Sequence, residues 1–180
     1  MTQRTENLLG VLALLVTDEM NAQNTVAAVV AVTGPTARAM LNAVGQYPDS
    51  SIEMLRDAVD LSHPAAVRAV AGLVEAGLIE KKPGADKRAV ALALTAAGKR
   101  EAKRMQSARE RILQRVLSRL DEDERIVFED LLVKILWHET RDPAHAMQLC
   151  RLCDEGPCLK AGCPVECRDQ GLPMPQRSGA

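Results

Sequence analysis

The chain has 180 residues, a net charge of −1 and 47% hydrophobic residues, but only one Trp, one Tyr and one Phe. This length allows a domain with a substantial core and an appendage. Small aliphatic residues must fill that core, which favours closely packed helices and argues against a β-sandwich. The sequence contains no glycine-rich phosphate loop, no H-E-x-x-H and no G-x-S-x-G motif, so we do not expect an enzyme.

The N-terminal segment, residues 1–32, contains two apolar runs. They cover residues 8–16 and 26–32 and are separated by the more polar residues 17–21. Neither run reaches the ~18 residues that a membrane-spanning helix requires, and the segment lacks the charge and cleavage pattern of a signal peptide. We therefore predict a cytoplasmic protein with no membrane partner, in which residues 1–32 form a dimerisation helix buried against a second chain.

Residues 33–98 begin with the pattern of two short helices. Residues 36–45 have helical spacing, and Ala39, Met40 and Val44 are predicted to point inward. After a turn at residues 47–49, Ser50 and Glu53 can form a capping box for the next helix. The apolar stripe of that helix consists of Ile52, Leu55, Ala58 and Val59.

A further helix follows after a break at Asp60. Ser62, His63 and Pro64 predict its start, since serine caps helices and proline is tolerated in the first turn. We expect the helix to reach Ala76 and to stop at Gly77. Helices joined by so short a turn cross at a steep angle, so this second helix can project from the body as in a helix-turn-helix.

The next segment predicts a β-hairpin, or wing. Residues 78–82 and 89–94 form the two predicted strands around a turn at 83–88, and Thr95 can cap the following helix. Residues 62–104 contain nine lysines and arginines against four acids. A basic hairpin tip beside an exposed helix indicates a nucleic-acid surface.

The second helix should present one face to DNA. Ala66, Val70 and Leu73 are predicted to face inward, which leaves Arg68 free either to contact a guanine in the major groove or to contact phosphate or form a surface ion pair. His63 can likewise be a reader or a solvated residue, and Lys99 a phosphate contact. The predicted DNA-binding residues are Ser62, His63, Pro64, Val67, Arg68, Lys81, Lys82, Asp86, Lys87 and Arg88.

Three stretches of this segment resemble the MarR family of bacterial transcriptional regulators. They are residues 73–79, the Asp86-Lys87-Arg88 turn, and the Leu-Thr-x-x-Gly motif at residues 94–98. The resemblance implies a homodimeric winged-helix repressor or activator, more often a repressor, that binds a near-palindromic double-stranded DNA operator. It also implies that Arg88 reaches the minor groove, that Asp86 orients the wing, and that a small-molecule effector can bind between the dimer region and the DNA-binding lobe.

Residues 99–142 predict two C-terminal dimerisation helices. The first extends over residues 95–120 with an apolar face of Met105, Ile112, Val116 and Leu120. Asp121 and Glu124 restart a second helix, which runs to about Thr140. The fold class that we predict is therefore mainly α, a winged helix-turn-helix with a two-stranded wing and N- and C-terminal dimerisation helices.

All five cysteines lie in the tail, residues 143–180, which is rich in glycine and proline and ends in an apparently untethered segment at 171–180. Thiols stay reduced in the cytosol, so metal binding or thiol redox chemistry is favoured over structural disulfides. Four thiolates suffice for zinc or for an iron–sulfur cluster, and both remain open. The predicted ligands are Cys150, Cys153, Cys158 and Cys163, with Cys167 as a spare or resolving thiol.

The tail also allows a different class of protein. In that interpretation the chain is a small metal-binding or redox protein whose winged helix serves protein interaction. The local positive charge and the Asp86-x-Arg88 pattern favour DNA binding.

Overall fold

The computed structural model describes residues 3–26, 34–84 and 90–176, with only the backbone described for 23–26. These residues form nine α-helices and one two-stranded sheet. In chain order the elements are α1 (Gln3–Val26), α2 (Pro35–Gln46), α3 (Ile52–Ala58), α4 (His63–Glu75), β1 (Ile79–Pro83), β2 (Val90–Leu94), α5 (Ala96–Leu117), α6 (Glu122–Glu139), α7 (Pro143–Cys150), α8 (Glu155–Lys160) and α9 (Pro164–Asp169). Mainly α architecture with a two-stranded wing is thus confirmed.

Helices α2, α3 and α4 and the sheet enclose the main core, and we call this unit, residues 34–94, the lobe. Its most deeply buried side chains include Met40, Leu41, Leu55 and Leu73. The positions predicted to face inward on α2 and α4, such as Val44 and Val70, are buried as expected. Helical spacing therefore identified the core because each of these helices has one face against the others.

The start of α3 differs from the prediction by one residue. Ser51, not Ser50, is the N-cap, and its hydroxyl accepts the Met54 amide at 3.3 Å. Ser50 is instead paired with β2, where its carbonyl accepts the Leu92 amide at 3.0 Å. The capping box was wrong because a sheet contact, invisible in the local sequence, takes the backbone of Ser50.

The turns around α4 have the backbone that their residues favour. Asp60, between α3 and α4, has a positive φ of 55°, and Gly77, after α4, has a φ of 69°. Asp tolerates the left-handed region better than most residues, and Gly adopts it without steric cost. The predicted stop at Gly77 is confirmed, and the chain turns there directly into β1.

The wing is an antiparallel pair whose register runs from Ile79 opposite Leu94 to Pro83 opposite Val90. Thr95 fastens its base, since its hydroxyl accepts the Gly98 amide at 3.0 Å and donates to the Gly77 carbonyl at 2.7 Å. A Cβ on Gly98 would stand 2.0 Å from the Leu78 carbonyl oxygen. The Leu-Thr-x-x-Gly motif therefore packs the start of α5 against the wing, and only glycine fits.

Two long helices carry apolar side chains that the single chain leaves uncovered. On α1 these include Leu9 and Leu14, and on α6 they include Leu131 and Ile135. Helix α6 begins at the predicted position, where Asp121 and Glu124 form a capping box, but it has no buried residue. On α5, Met105 and Ile112 are buried as predicted. No helix among the described residues is long and apolar enough to cross a membrane.

The tail is more ordered than its composition suggested. Helix α6 ends at Glu139, within one residue of the prediction, and Asp142 caps α7, because its carboxylate accepts the His145 amide at 2.9 Å. Helix α7 packs on α3, and α9 packs on both α6 and α7. Residues 171–176 are largely exposed, and the predicted untethered end beyond residue 176 lies outside the described residues.

Candidate DNA-binding surface and cysteine cluster

Helix α4 has an exposed face that contains the residues predicted to meet DNA. His63, Pro64, Val67 and Arg68 are all exposed, whereas Ala66 on the opposite side is buried. Val67 has 43% of its surface exposed, although it is an aliphatic residue. Ser62 is the N-cap, but its side chain makes no capping hydrogen bond. The arrangement suits an amphipathic helix with one face available to a large partner.

The two charged residues of this face differ in their contacts. His63 Nδ1 lies 2.5 Å from Glu53 Oε1, and the other oxygen of Glu53 lies 2.8 Å from Arg56 Nε. Sequence reasoning missed this contact because it assigned Glu53 to a capping box. Arg68 forms no ion pair with any described residue, so its guanidinium is available for a base or phosphate.

The wing adds exposed cations beside α4. Lys81 and Lys82 are exposed on β1, and Lys82 Nζ lies 3.1 Å from Glu80 Oε1. Lys99 is exposed in the first turn of α5. The predicted roles of Asp86, Lys87 and Arg88 concern residues outside those that the structure describes.

A cavity of about 340 Å³ lies between α1, α2, α5 and the turn after α7, and three arginines line it: Arg38, Arg109 and Arg151. Arg38 is only 5% exposed. Its guanidinium donates to the Asn21 side chain at 2.8 Å and to the Met20 carbonyl at 3.3 Å, while its Nε has no partner among the described atoms. Burial lowers the pKa of Arg38. No pattern in the sequence singled out this cavity.

The four predicted metal ligands meet in one place. Cys150 ends α7, Cys153 lies in the following turn, Cys158 is on α8 and Cys163 precedes α9, yet all four line one cavity of about 50 Å³. The thiols lie close enough to shift one another's pKa values. Cys167 does not line this cavity. The structure therefore brings the four together and leaves the predicted spare apart.

The thiols of this cysteine cluster, Cys150, Cys153, Cys158 and Cys163, are electrostatically unequal. Hydrogen bonds from its neighbours lower the pKa of Cys163 and that of Cys153. Hydrogen bonds to those two, together with burial, raise the pKa of Cys150 and Cys158. Among the described His, Cys, Asp and Glu side chains, no three already have the arrangement of a metal site. The four thiols line one cavity but do not yet surround a common centre.

Side-chain amides fasten the cluster to the lobe. The Cys153 carbonyl accepts the amides of Asn42 at 3.2 Å, Gln46 at 2.7 Å and Gln106 at 3.0 Å. Asn42 also donates to the Arg151 carbonyl at 3.1 Å and accepts Gln106 at 2.6 Å. We call Asn42, Gln46 and Gln106 the amide cradle. Sequence reasoning missed it, since nothing local marks an amide on a helix as the partner of a distant turn.

Comparisons with known proteins agree with this geometry. Residues 32–89 match the model of the MarR family. The fold is similar to a MarR family protein from Bacillus stearothermophilus, with a TM-score of 0.68 and 23% identity over 78% of this chain and 99% of that chain. A search of curated protein sequences gives no significant match.

Two further structures cover similar shares. FabT from Streptococcus pneumoniae, solved in complex with DNA, has a TM-score of 0.59 and 18% identity over 74% of this chain and 93% of its own. The PcaV transcriptional regulator from Streptomyces coelicolor, solved with its natural ligand, has a TM-score of 0.51 and 28% identity over 70% and 89%.

The fold is that of the MarR-type winged-helix transcriptional regulators, and residues 32–89 match the MarR family model. This class consists of DNA-binding regulators and not of enzymes. The resemblance that the three sequence stretches suggested is thus confirmed. The cysteine tail lies beyond the residues that match the family model.

Proposed function

We propose that the protein is a sequence-specific DNA-binding repressor that acts as a homodimer on a near-palindromic operator. The observation that carries this proposal is the exposed face of α4, where Arg68 has no ion-pair partner in the described chain and lies in a helix flanked by the exposed lysines of β1. An α-helix of this kind fits the major groove, and arginine can bond guanine O6 and N7 together. The lysines would contact phosphates.

The dimer is supported by the apolar side chains that one chain leaves uncovered. Leu113, Leu117, Leu132, Val133 and Leu136 line a groove between α5 and α6 with a cavity volume of about 700 Å³, and α1 carries a long row of exposed leucines. Apolar surface on this scale usually marks an interface. A two-fold dimer would present two α4 helices to half-sites about one DNA turn, ~34 Å, apart. We propose repression because the family resemblance implies a repressor more often than an activator.

Fluorescence anisotropy with the DNA upstream of the gene tests the proposal. We expect binding that is much tighter than to unrelated DNA and that weakens steeply with salt. Arg68→Ala should weaken operator binding by roughly 5- to 150-fold, the equivalent of one lost bidentate base contact. Arg119→Ala is the matched control, because Arg119 is exposed just after the C-terminal end of α5, away from the wing. Equal affinities for both variants would exclude α4 as the reading helix.

The wing is tested in the same assay. We expect Arg88→Ala to weaken binding more than Lys99→Ala, since an arginine inserted into the minor groove is desolvated and a lysine at the rim is not. Equal losses would exclude minor-groove insertion.

Sedimentation tests the dimer separately. Leu131→Glu, at a position 52% exposed on α6, should weaken the dimer at least tenfold, whereas Leu172→Glu, at a position 47% exposed in the tail, should not. A monomeric wild-type protein at micromolar concentration would contradict the dimer proposal.

The arginine-lined cavity supports binding of a small-molecule effector. Its three guanidinium groups and apolar wall favour a small organic anion, and the unpartnered Nε of Arg38 is a donor that such an anion could satisfy. Because the cavity lies between α1, α5 and the lobe, an occupant would alter how the dimer helices meet α2. Calorimetric titration with aromatic carboxylates tests this. We expect binding to the wild-type protein and weaker binding to Arg38→Met.

The tail supports regulation by metal or redox state. Its cysteine cluster is fastened by the amide cradle to α2, which belongs to the DNA-binding lobe. We propose that a change at these thiols changes operator affinity. To test this, the operator affinity of the intact protein is compared with that of a variant with serine at all four positions, each under reducing and oxidising conditions. Identical affinities in the four cases would contradict it.

A further inference from the structure

We propose that Cys150, Cys153, Cys158 and Cys163 together bind one tetrahedral, thiophilic divalent cation of the zinc class. The ion would connect three short helices that the chain otherwise holds by few apolar contacts. As a regulator of DNA binding the site rests on the function proposed above, but metal binding itself does not depend on that function.

The first argument is convergence. The four sulfur atoms come from the end of α7, the turn after it, α8 and the start of α9, so that no single helix accounts for their proximity. Four thiols around one small cavity need only side-chain rotations to surround a common centre, with the ~3.8 Å that separates two ligands of one tetrahedral ion with Zn–S bonds of ~2.3 Å. Each coordinated cysteine that is still protonated would release its proton to solvent.

The second argument is size. The cavity between the thiols has a volume of about 50 Å³, which is enough for one ion, since a single water needs ~10–15 Å³ of comparable space. A four-iron cluster contains eight core atoms and holds its thiolates farther apart. It would require α7, α8 and α9 to separate, although Cys163 is only 6% exposed and packs with Val165 and Ala146. The closed packing therefore favours a mononuclear ion over a cluster.

The third argument is selection among the five cysteines. Cys167 lies one turn further along α9 and does not line the cavity, while Cys163 at the start of that helix does. The carboxylates of Glu155 and Glu166 line the same cavity, which favours entry of a cation and disfavours any anion. Glu155 is held by the Tyr47 hydroxyl at 2.9 Å. The surroundings thus point to a cation and to four of the five thiols.

The ion would fasten two parts of the molecule. On one side α9 packs on α6, where the Arg168 guanidinium lies 4.5 Å from the centre of the Trp137 ring. On the other side the carbonyl of Cys153 is bound by the amide cradle on α2 and α5. Because α6 carries the apolar face that we assign to the dimer, the ion would link the dimer region to the lobe.

Metal analysis of the full-length protein is the direct test. Purified under reducing conditions and incubated with Zn²⁺, the protein should retain about one zinc per protomer after desalting. Co²⁺ should give the intense sulfur-to-cobalt and d–d absorption of a tetrahedral thiolate site. Single serine variants at the four positions should each weaken Co²⁺ binding at least tenfold, while Cys167→Ser, the matched control, should bind as the wild type does.

Different results would overturn different parts of the metal-site proposal. Stoichiometric iron and sulfide with a visible chromophore would overturn a mononuclear ion. Retention of no metal, or equal losses in all five variants, would overturn the site. Since a serine variant could fail to fold, the Co²⁺ spectrum and the zinc content of the wild type decide the matter alone.

The fastening is tested without variants. Removal of zinc from the wild-type protein by a chelator should raise amide hydrogen exchange in α7–α9 at least tenfold and leave exchange in α4 unchanged. Unchanged exchange in the tail would show that the ion does not fasten it. Because this measurement contains no DNA, its failure and the failure of the proposed DNA binding can be told apart.

Discussion

The lobe and the cysteine tail are stabilised in different ways. The lobe buries large aliphatic side chains, with Met40, Leu41 and Leu55 fully enclosed. Among the described residues, the buried hydrophobic cluster of the tail consists of Ala146, Cys163 and Val165. The tail is attached to the lobe by Met147 and Leu152, which pack against the lobe core, and by amides that meet backbone carbonyls. Apolar burial responds little to redox state or metal supply, whereas thiols respond strongly. The tail is therefore the part of the molecule that responds to redox state and metal supply, whereas the stability of the lobe depends little on either.

The largest effect should come from the lobe core. Leu55→Ala removes a side chain with no exposed surface, and such truncations typically lower the free energy of unfolding by about 2–5 kcal/mol. Helix α3 also supports α7, so the signals of lobe and tail should be lost in one transition in chemical denaturation. Leu172→Ala, at an exposed position, should change stability by less than about 0.5 kcal/mol. Two separated transitions in Leu55→Ala would show that the tail folds by itself.

Replacement of Gly98 and of Gly72 by alanine should change the stability of the protein in opposite directions. Gly98→Ala places a Cβ against the Leu78 carbonyl, and relieving such a clash should cost about 1–3 kcal/mol or more. Gly72, inside α4, has nothing within 4 Å of the position of an added Cβ. Gly72→Ala should therefore raise stability by up to ~1 kcal/mol. Thermal unfolding of both variants measures the contrast, and two changes of the same sign would contradict it.

The smallest of the three effects probes the junction of lobe and tail. Asn42→Ala removes one donor each from the carbonyls of Arg151 and Cys153, while Gln46 and Gln106 still donate to Cys153. Docking of the tail should therefore weaken by only about 0.5–1.5 kcal/mol. Faster hydrogen exchange in α7 and α8, with α4 unchanged, is the expected measurement. Gln114→Ala is the control, since that amide bonds only to Glu110 on the exposed side of α5. An equal effect of the two variants would mean that the cradle does not hold the tail.

Local rules were sufficient to predict much of the lobe and the starts of the two helices after it. The inward positions of α2 and α4, the stop at Gly77, the cap at Thr95 and the helix start at Asp121 follow from such rules, and each is confirmed. Those features depend on residues within a turn or two of each other. Local rules failed at Ser50, where a sheet bridge to Leu92 competes with the cap.

Much of the tail could not be predicted in this way. Its short helices have Asp142, Asp154 and Cys163 as their N-cap residues. Helices of six to eight residues are unstable alone, so tertiary contacts decide whether they form. Spacing alone selected the same four cysteines that the cavity contains, but it could not place the amide cradle or the arginine-lined cavity. Those sites join residues that are far apart along the chain, so no periodic pattern in the sequence marks them.

The amide cradle also imposes an order on biosynthesis. Asn42 meets the Cys153 carbonyl across a separation of 111 residues. At a translation rate of ~5–20 residues per second, the ribosome needs on the order of 10 s to deliver that partner. Once residue 94 has been made, the remaining part of this interval allows the nascent lobe to fold while Asn42 and Gln46 remain solvated. The cell therefore makes the DNA-reading module first and completes its cysteine-bearing restraint last, so a prematurely terminated chain would carry the former without the latter.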